Sequence, residues 1–175
     1  MFNEERDECK FDWSMLGNIE DGRPNLGSTT SVAVYRLMQF CLRDVLIREV
    51  GVAKANEIFY DAGELAGRAF CRNVVTKKDS LNDYINDIQH LLKELKIGIL
   101  KVESADNEKL TFTIVVAEDL DCSGLPTCGE EICTFDEGFI SGLLSEFSKK
   151  KFITKEVDCW GSGDRICRFE ARAVS

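Results

Sequence analysis

Apolar residues recur at helical spacing over the first half of the chain and at strand spacing over most of the second. From an N-cap at Ser28 or Thr30 the pattern is helical to residue 50, where Gly51 stops it. Its apolar positions are Val34, Tyr35, Leu37, Met38, Cys41, Leu42, Val45 and Leu46, a surface wider than one packing face requires. Such a helix is either central in the core or lines a cavity or a subunit contact. A second helix, 52–75, sets Ala62, Gly63, Ala66, Gly67 and Ala69 beside Ile58, Phe59, Leu65 and Phe70. Two interior glycines cost roughly 1 kcal/mol each, so close helix packing or room for a ligand must offset them. A third helix, 80–95, carries one stripe of Leu81, Tyr84, Ile85, Ile88, Leu91, Leu92 and Leu95, capped by Ser80.

The period then changes. Residues 97–104 and 109–118 have strand composition about a turn at 105–108, and read as a hairpin. The segment LDCSGLPTCGEEIC is a cysteine-bearing loop, followed by a helix over 131–149 that ends in three lysines, the sign a helix C-terminus favours. A second hairpin, 152–160 and 165–174, closes the order. Three helices, hairpin, helix, hairpin make an α+β fold: an antiparallel sheet of two hairpins packed with about four helices. Residues 1–15 are polar with isolated Phe11 and Trp13 and read as an N-terminal arm or a strap onto a partner; 16–175 read as one domain.

Composition narrows the function. The 175 residues carry a formal charge of −9, which argues against a nucleic-acid surface. No apolar run approaches the ~18 residues of a membrane span, and the acidic N-terminus does not read as an export signal. A cytoplasmic location is expected, where the eight cysteines would be reduced thiols or metal ligands.

Cys133 opens the fourth helix, where backbone N–H groups and the dipole favour thiolate. Cys159 and Cys167 are symmetric about Gly163; directly opposite one another, their Cβ atoms would lie roughly 4.5–5.5 Å apart. Such a pair can chelate zinc or consist of two small buried hydrophobes. Ile153, Val157, Phe169 and Ala171 are expected on the same inward side as the pair. Glu156 has the opposite strand parity to Cys159, so it can join them only if a bulge or strand end re-aims it. Lys155, Arg165 or Arg168 would then have to temper the negative charge.

These residues resemble the 4-vinyl reductase domain family. The likeness rests on Cys133 followed by Glu137-Gly138-Phe139-Ile140-Ser141-Gly142, then Glu156-Val157-Asp158-Cys159, then Gly163-Asp164-Arg165-Ile166-Cys167-Arg168-Phe169. Arg23 to Gly27 and Tyr35-Arg36 also look like family positions. The resemblance implies zinc as cofactor, held by Cys133, Glu156, Cys159 and Cys167. It also implies a fold shared with haem-based nitric-oxide sensors and a vesicle-tethering subunit, commonly as a homodimer, and a cavity for a small hydrophobic or aromatic ligand. Tyr35, Phe59, Tyr60 and Phe70 are candidates for its wall. Cys122 and Cys128 are spare loop cysteines, replacement ligands or a redox pair.

The expected function is a non-catalytic sensor or carrier, passing ligand occupancy to a separate regulatory protein. An accessory enzyme of tetrapyrrole metabolism and an iron–sulfur or redox sensor are the alternatives. His90 has no evident acid–base partner, and GSGD in the last hairpin is a turn rather than a dinucleotide fingerprint.

Overall fold

The computed structural model describes residues 3–76 and 79–174. A 3-10 turn, Trp13–Leu16, and a single helical turn, α1 (Ile19–Gly22), lead into three long helices: α2 (Val32–Val50), α3 (Val52–Asn73) and α4 (Leu81–Glu94). Strands β1 (Ile99–Asp106) and β2 (Thr111–Ala117) follow, then α5 (Thr134–Ser148), β3 (Phe152–Asp158) and β4 (Cys167–Ala173). The four strands form one antiparallel sheet in the order β1-β2-β4-β3. The expected α+β order is the observed one.

Helix α5 lies at the centre. Ile140, Leu143 and Leu144 pack into a core with Phe112, Ile114 and Val116 of β2 and Phe169 and Ala171 of β4. Helix α4 covers the same layer through Tyr84, Ile88 and Leu92; the Tyr84 ring stacks on Phe147 at 4.2 Å and its hydroxyl donates to the Leu143 carbonyl. Ser80 caps α4 by accepting from the Asp83 N–H.

The small residues of α3 serve close packing. A Cβ added at Gly63 would fall 2.0 Å from the Phe135 carbonyl oxygen and one at Gly67 2.2 Å from that of Phe139. In return, Gly138 and Gly142 of α5 meet the Tyr60 and Glu64 carbonyl oxygens at 2.0 and 2.3 Å. Glycines four residues apart on both helices let the two backbones touch, leaving no space there for a ligand.

Helix α2 departs from the expected core position. Ser31, rather than Ser28 or Thr30, caps it by accepting from the Ala33 N–H. Only Gln39 along it is buried; Val34, Leu37, Met38, Cys41, Leu42 and Val45 form an exposed apolar face, with Leu37 at 65% and Met38 at 66% exposure. The helix is held to the rest of the chain by polar contacts to the loop after β2 and by Arg43, whose guanidinium sits 4.4 Å over the Phe59 ring. At the N-terminus Phe11 is exposed, while Trp13 packs against this chain's own core.

Candidate metal centre

Strand β3 alternates cleanly at first: Phe152, Thr154 and Glu156 point in, Ile153 and Lys155 out. The pairing of β3 with β4 then shifts register between Glu156 and Asp158, leaving Val157 as an extra, exposed residue. This bulge resets the parity. Glu156 and Cys159, three apart, are both buried on the inner side. Ile153 and Val157 consequently lie outward, at 38% and 40% exposure, not inward beside the cysteines as alternation counted back from Cys159 implies. Phe169 and Ala171 do face inward.

The fully buried sulfurs of Cys133, Cys159 and Cys167 come together, and Cys122 joins them. One sulfur from each of the four lies within 4.8 Å of the others. Cys133 is 3.8 Å from both Cys159 and Cys167, and Cys122 is 3.1 Å from Cys167. All are far longer than a disulfide bond of ~2.05 Å. A tetrahedron of thiolates about an ion at ~2.3 Å has an edge of ~3.8 Å, so the spacing fits one tetrahedral ion. Three separate segments converge to make it. Cys122 comes from the loop after β2, Cys133 from the N-cap of α5, and Cys159 and Cys167 flank the β3–β4 turn. That turn is tightened by Gly163 and Asp164 N–H groups donating to the Cys159 carbonyl, and the Gly161 N–H reaches the Cys159 sulfur at 3.4 Å.

Glu156 stands at the edge of this group. Its Oε2 accepts from the Cys133 backbone N–H at 3.0 Å, supplying the helix cap that Cys133 itself lacks, while its buried Oε1 has no hydrogen-bond partner. Burial pushes its carboxyl up to about 8. An unpartnered carboxylate oxygen beside clustered thiols is what a cation-binding site leaves unsatisfied when only the protein is counted. Cys128 lies apart, exposed, its sulfur 3.6 Å from the Gly161 carbonyl oxygen.

The charges around the thiols are arranged differently from expectation. Lys155 pairs with Glu137 at 2.7 Å, Arg168 pairs with Glu103 and Asp158, and Arg165 lies over the Trp160 ring. None of the three expected cations is free for the sulfurs. Left to themselves, four thiols at this spacing share protons: contact with Cys122 first of all pushes Cys133 and Cys167 up and holds Cys159 down as the acceptor.

An acidic loop adjoins the thiols. Asp119 accepts from the N–H groups of Asp121 and Cys122 at 2.8 and 3.1 Å, and burial raises its carboxyl to about 7. Asp121 accepts from the Tyr35 hydroxyl and the Gln39 amide. Carboxylate oxygens of Asp119 and Asp136 come within 4.8 Å of each other and of the Cys133 sulfur. Helix α2 thus reaches the centre at two points, the second being Arg43 on the carbonyl of Ile132, which precedes Cys133.

The residues expected to wall a ligand cavity divide. Tyr35 and Phe59 line a pocket of about 240 Å³ between α2 and α3, together with Met38, Gln39, Leu42 and Phe135. Tyr60 turns inward, its hydroxyl 2.7 Å from the Ser141 Oγ, and Phe70 packs edge-on against Phe139 in the core. Sequence reasoning passed over Asp119, Asp121 and Gln39; the Asp-x-Asp-Cys spacing at the end of β2 is the signal that could have marked them. His90 lies on the surface 3.4 Å from Glu94.

Comparison with known proteins places this geometry. The family model for the 4-vinyl reductase domain matches residues 112–173. An uncharacterized protein of Methanocaldococcus jannaschii is 28% identical over 162 residues, covering 93% of this chain and 87% of its own length. A solved vinyl-4-reductase family protein of M. jannaschii superposes with a TM-score of 0.62 at 18% identity, over 96% of this chain and all of that one. The phenol-responsive sensory domain of the transcription activator PoxR, with phenol, gives 0.63 at 15% identity, over 84% and 76% of the two chains. A trafficking protein particle complex subunit 3 from Naegleria fowleri, covalently bound to palmitic acid, gives 0.64 at 16% over 82% and 95%. An H-NOX protein from S. oneidensis gives 0.50 at 14% over 77% and 72%. Across residues 112–173, the stretch that carries all four clustered thiols, the chain belongs to the 4-vinyl reductase domain family.

Proposed function

We propose that the protein is a non-catalytic, zinc-containing sensor or carrier domain for a small apolar ligand, working as a homodimer in a reducing compartment. The observation that carries this reading is the buried group of four thiols from three segments. Cys122, Cys133, Cys159 and Cys167 would hold zinc, with Glu156 fixing the Cys133 N–H at its edge. A closed tetrathiolate site supplies folding energy rather than an open coordination position for substrate. The 3.8 Å sulfur spacing also favours a single ion over an iron–sulfur cluster, which spreads its thiolates over several irons.

The ligand would enter the pocket between α2 and α3, where Tyr35 and Phe59 stand among aliphatic side chains. PoxR's sensory domain, of the same fold, is phenol-responsive, which supports small-molecule sensing. The second copy would cover the exposed apolar face of α2, too continuous a surface to leave in water without a partner. Native mass spectrometry of freshly purified protein tests the whole reading. The expected species is a dimer with one zinc per chain, releasing a small apolar molecule on denaturation. A metal-free, ligand-free monomer of unchanged stability would contradict it.

A further inference from the structure

The pocket between α2 and α3 is apolar except at two side chains, Tyr35 and Gln39. The Tyr35 hydroxyl is already engaged on Asp121 Oδ1. Gln39 is different. It is only 8% exposed, and its Nε2 donates to Asp121 Oδ2 at 2.6 Å. Because a carboxylate with two donors on it accepts, the amide must face Asp121 with its nitrogen, which leaves Oε1 as a buried acceptor without a partner. An acceptor desolvated against aliphatic walls discriminates: a donor restores its hydrogen bond, whereas an apolar or acceptor-only group leaves it unmet.

Charge narrows the choice further. Asp119, Asp121 and Asp136 lie behind Gln39 and oppose an anionic head group. The Arg43 guanidinium over Phe59, itself a wall residue, opposes a cationic one. We propose that this pocket takes a small, neutral, largely apolar molecule carrying one hydrogen-bond donor, an O–H or N–H, which donates to Gln39 Oε1. The proposal rests on the ligand-binding reading above and specifies the ligand class. It also gives that ligand a route to the thiols, since the same Gln39 amide holds Asp121, the residue before Cys122.

NMR titration of the full chain with an isosteric pair, p-cresol and p-xylene, tests this through the Gln39 side-chain amide and Met38 methyl signals. The expected result is p-cresol binding about ten- to a hundredfold tighter than p-xylene, with the preference lost in Gln39→Leu. Equal affinities for the two probes would overturn the donor rule while leaving the pocket as a ligand site. No response to either probe would overturn the rule and the ligand-binding reading together. The comparison of probes in the unmodified chain decides the matter even if Gln39→Leu fails to fold. Leu46→Trp, which fills the pocket, should abolish the response to both probes; an unchanged p-cresol response in that variant would place binding elsewhere and contradict the proposal.

Discussion

The Tyr35 hydroxyl donates to Asp121 Oδ1 at 2.8 Å, one residue before Cys122, whose sulfur lies 3.1 Å from that of Cys167. A single hydrogen bond therefore joins a surface helix to the buried thiols. Tyr35→Phe removes it while keeping the ring. Stability is expected to fall by about 1 kcal/mol, and zinc transfer to a chelator should accelerate several-fold. Chelator kinetics unchanged from the parent would show that α2 does not bear on the centre.

Gly67 allows the backbones of α3 and α5 to meet, with a Cβ there lying 2.2 Å from the Phe139 carbonyl oxygen. Ala normally stabilises a helix over Gly, by roughly 1 kcal/mol. Here the sign should reverse, because carbonyl oxygen in a packed helix cannot move aside. Gly67→Ala is expected to destabilise by about 1–3 kcal/mol or more in urea unfolding. A stabilised variant would mean that the helices stand further apart.

How much of this was legible beforehand varies with the physics. Element order followed from period, and Cys133, Cys159 and Cys167 stood out by position and resemblance. The bulge was foreshadowed: Glu156 and Cys159 have opposite parity, and both are buried only because Val157 is extruded. Cys122 was not legible as a cluster member, since a loop has no period to say where its side chain points. Helix α2 was legible as a helix but not as a surface one, because a wide apolar face looks alike whether a core or a second chain covers it. The glycines of α3 were ambiguous until Gly138 and Gly142 were seen facing them.

Glu146 gives a pH dependence. The Arg72 guanidinium at 2.7 Å, helped by Lys149, holds its carboxyl down at about 2. A carboxylate depressed in the folded state contributes stability that is present above the ordinary value of about 4.5 and is lost as pH falls toward 2. Both cations are well exposed, so solvent screening reduces the contribution to about 1 kcal/mol. Glu146→Gln should be less stable than the parent at pH 7, with the gap closing between pH 4.5 and 2. A gap independent of pH would assign the loss to packing instead.

Leu37 lies mid-way along the exposed face of α2. Leu37→Asp should convert the dimer to monomer in sedimentation velocity at micromolar concentration. Its effect on monomer stability should be within about 0.5 kcal/mol, as for other surface substitutions. A parent protein that is already monomeric would leave α2 without its proposed cover.

The most direct measurement of the centre itself is X-ray absorption at the zinc edge on protein purified without added metal. Four sulfur neighbours at ~2.3 Å are expected, with zinc at one per chain. Three sulfurs and an oxygen at ~2.0–2.2 Å would give Glu156 the fourth position and exclude Cys122. Absence of zinc, or iron in its place, would contradict the account altogether.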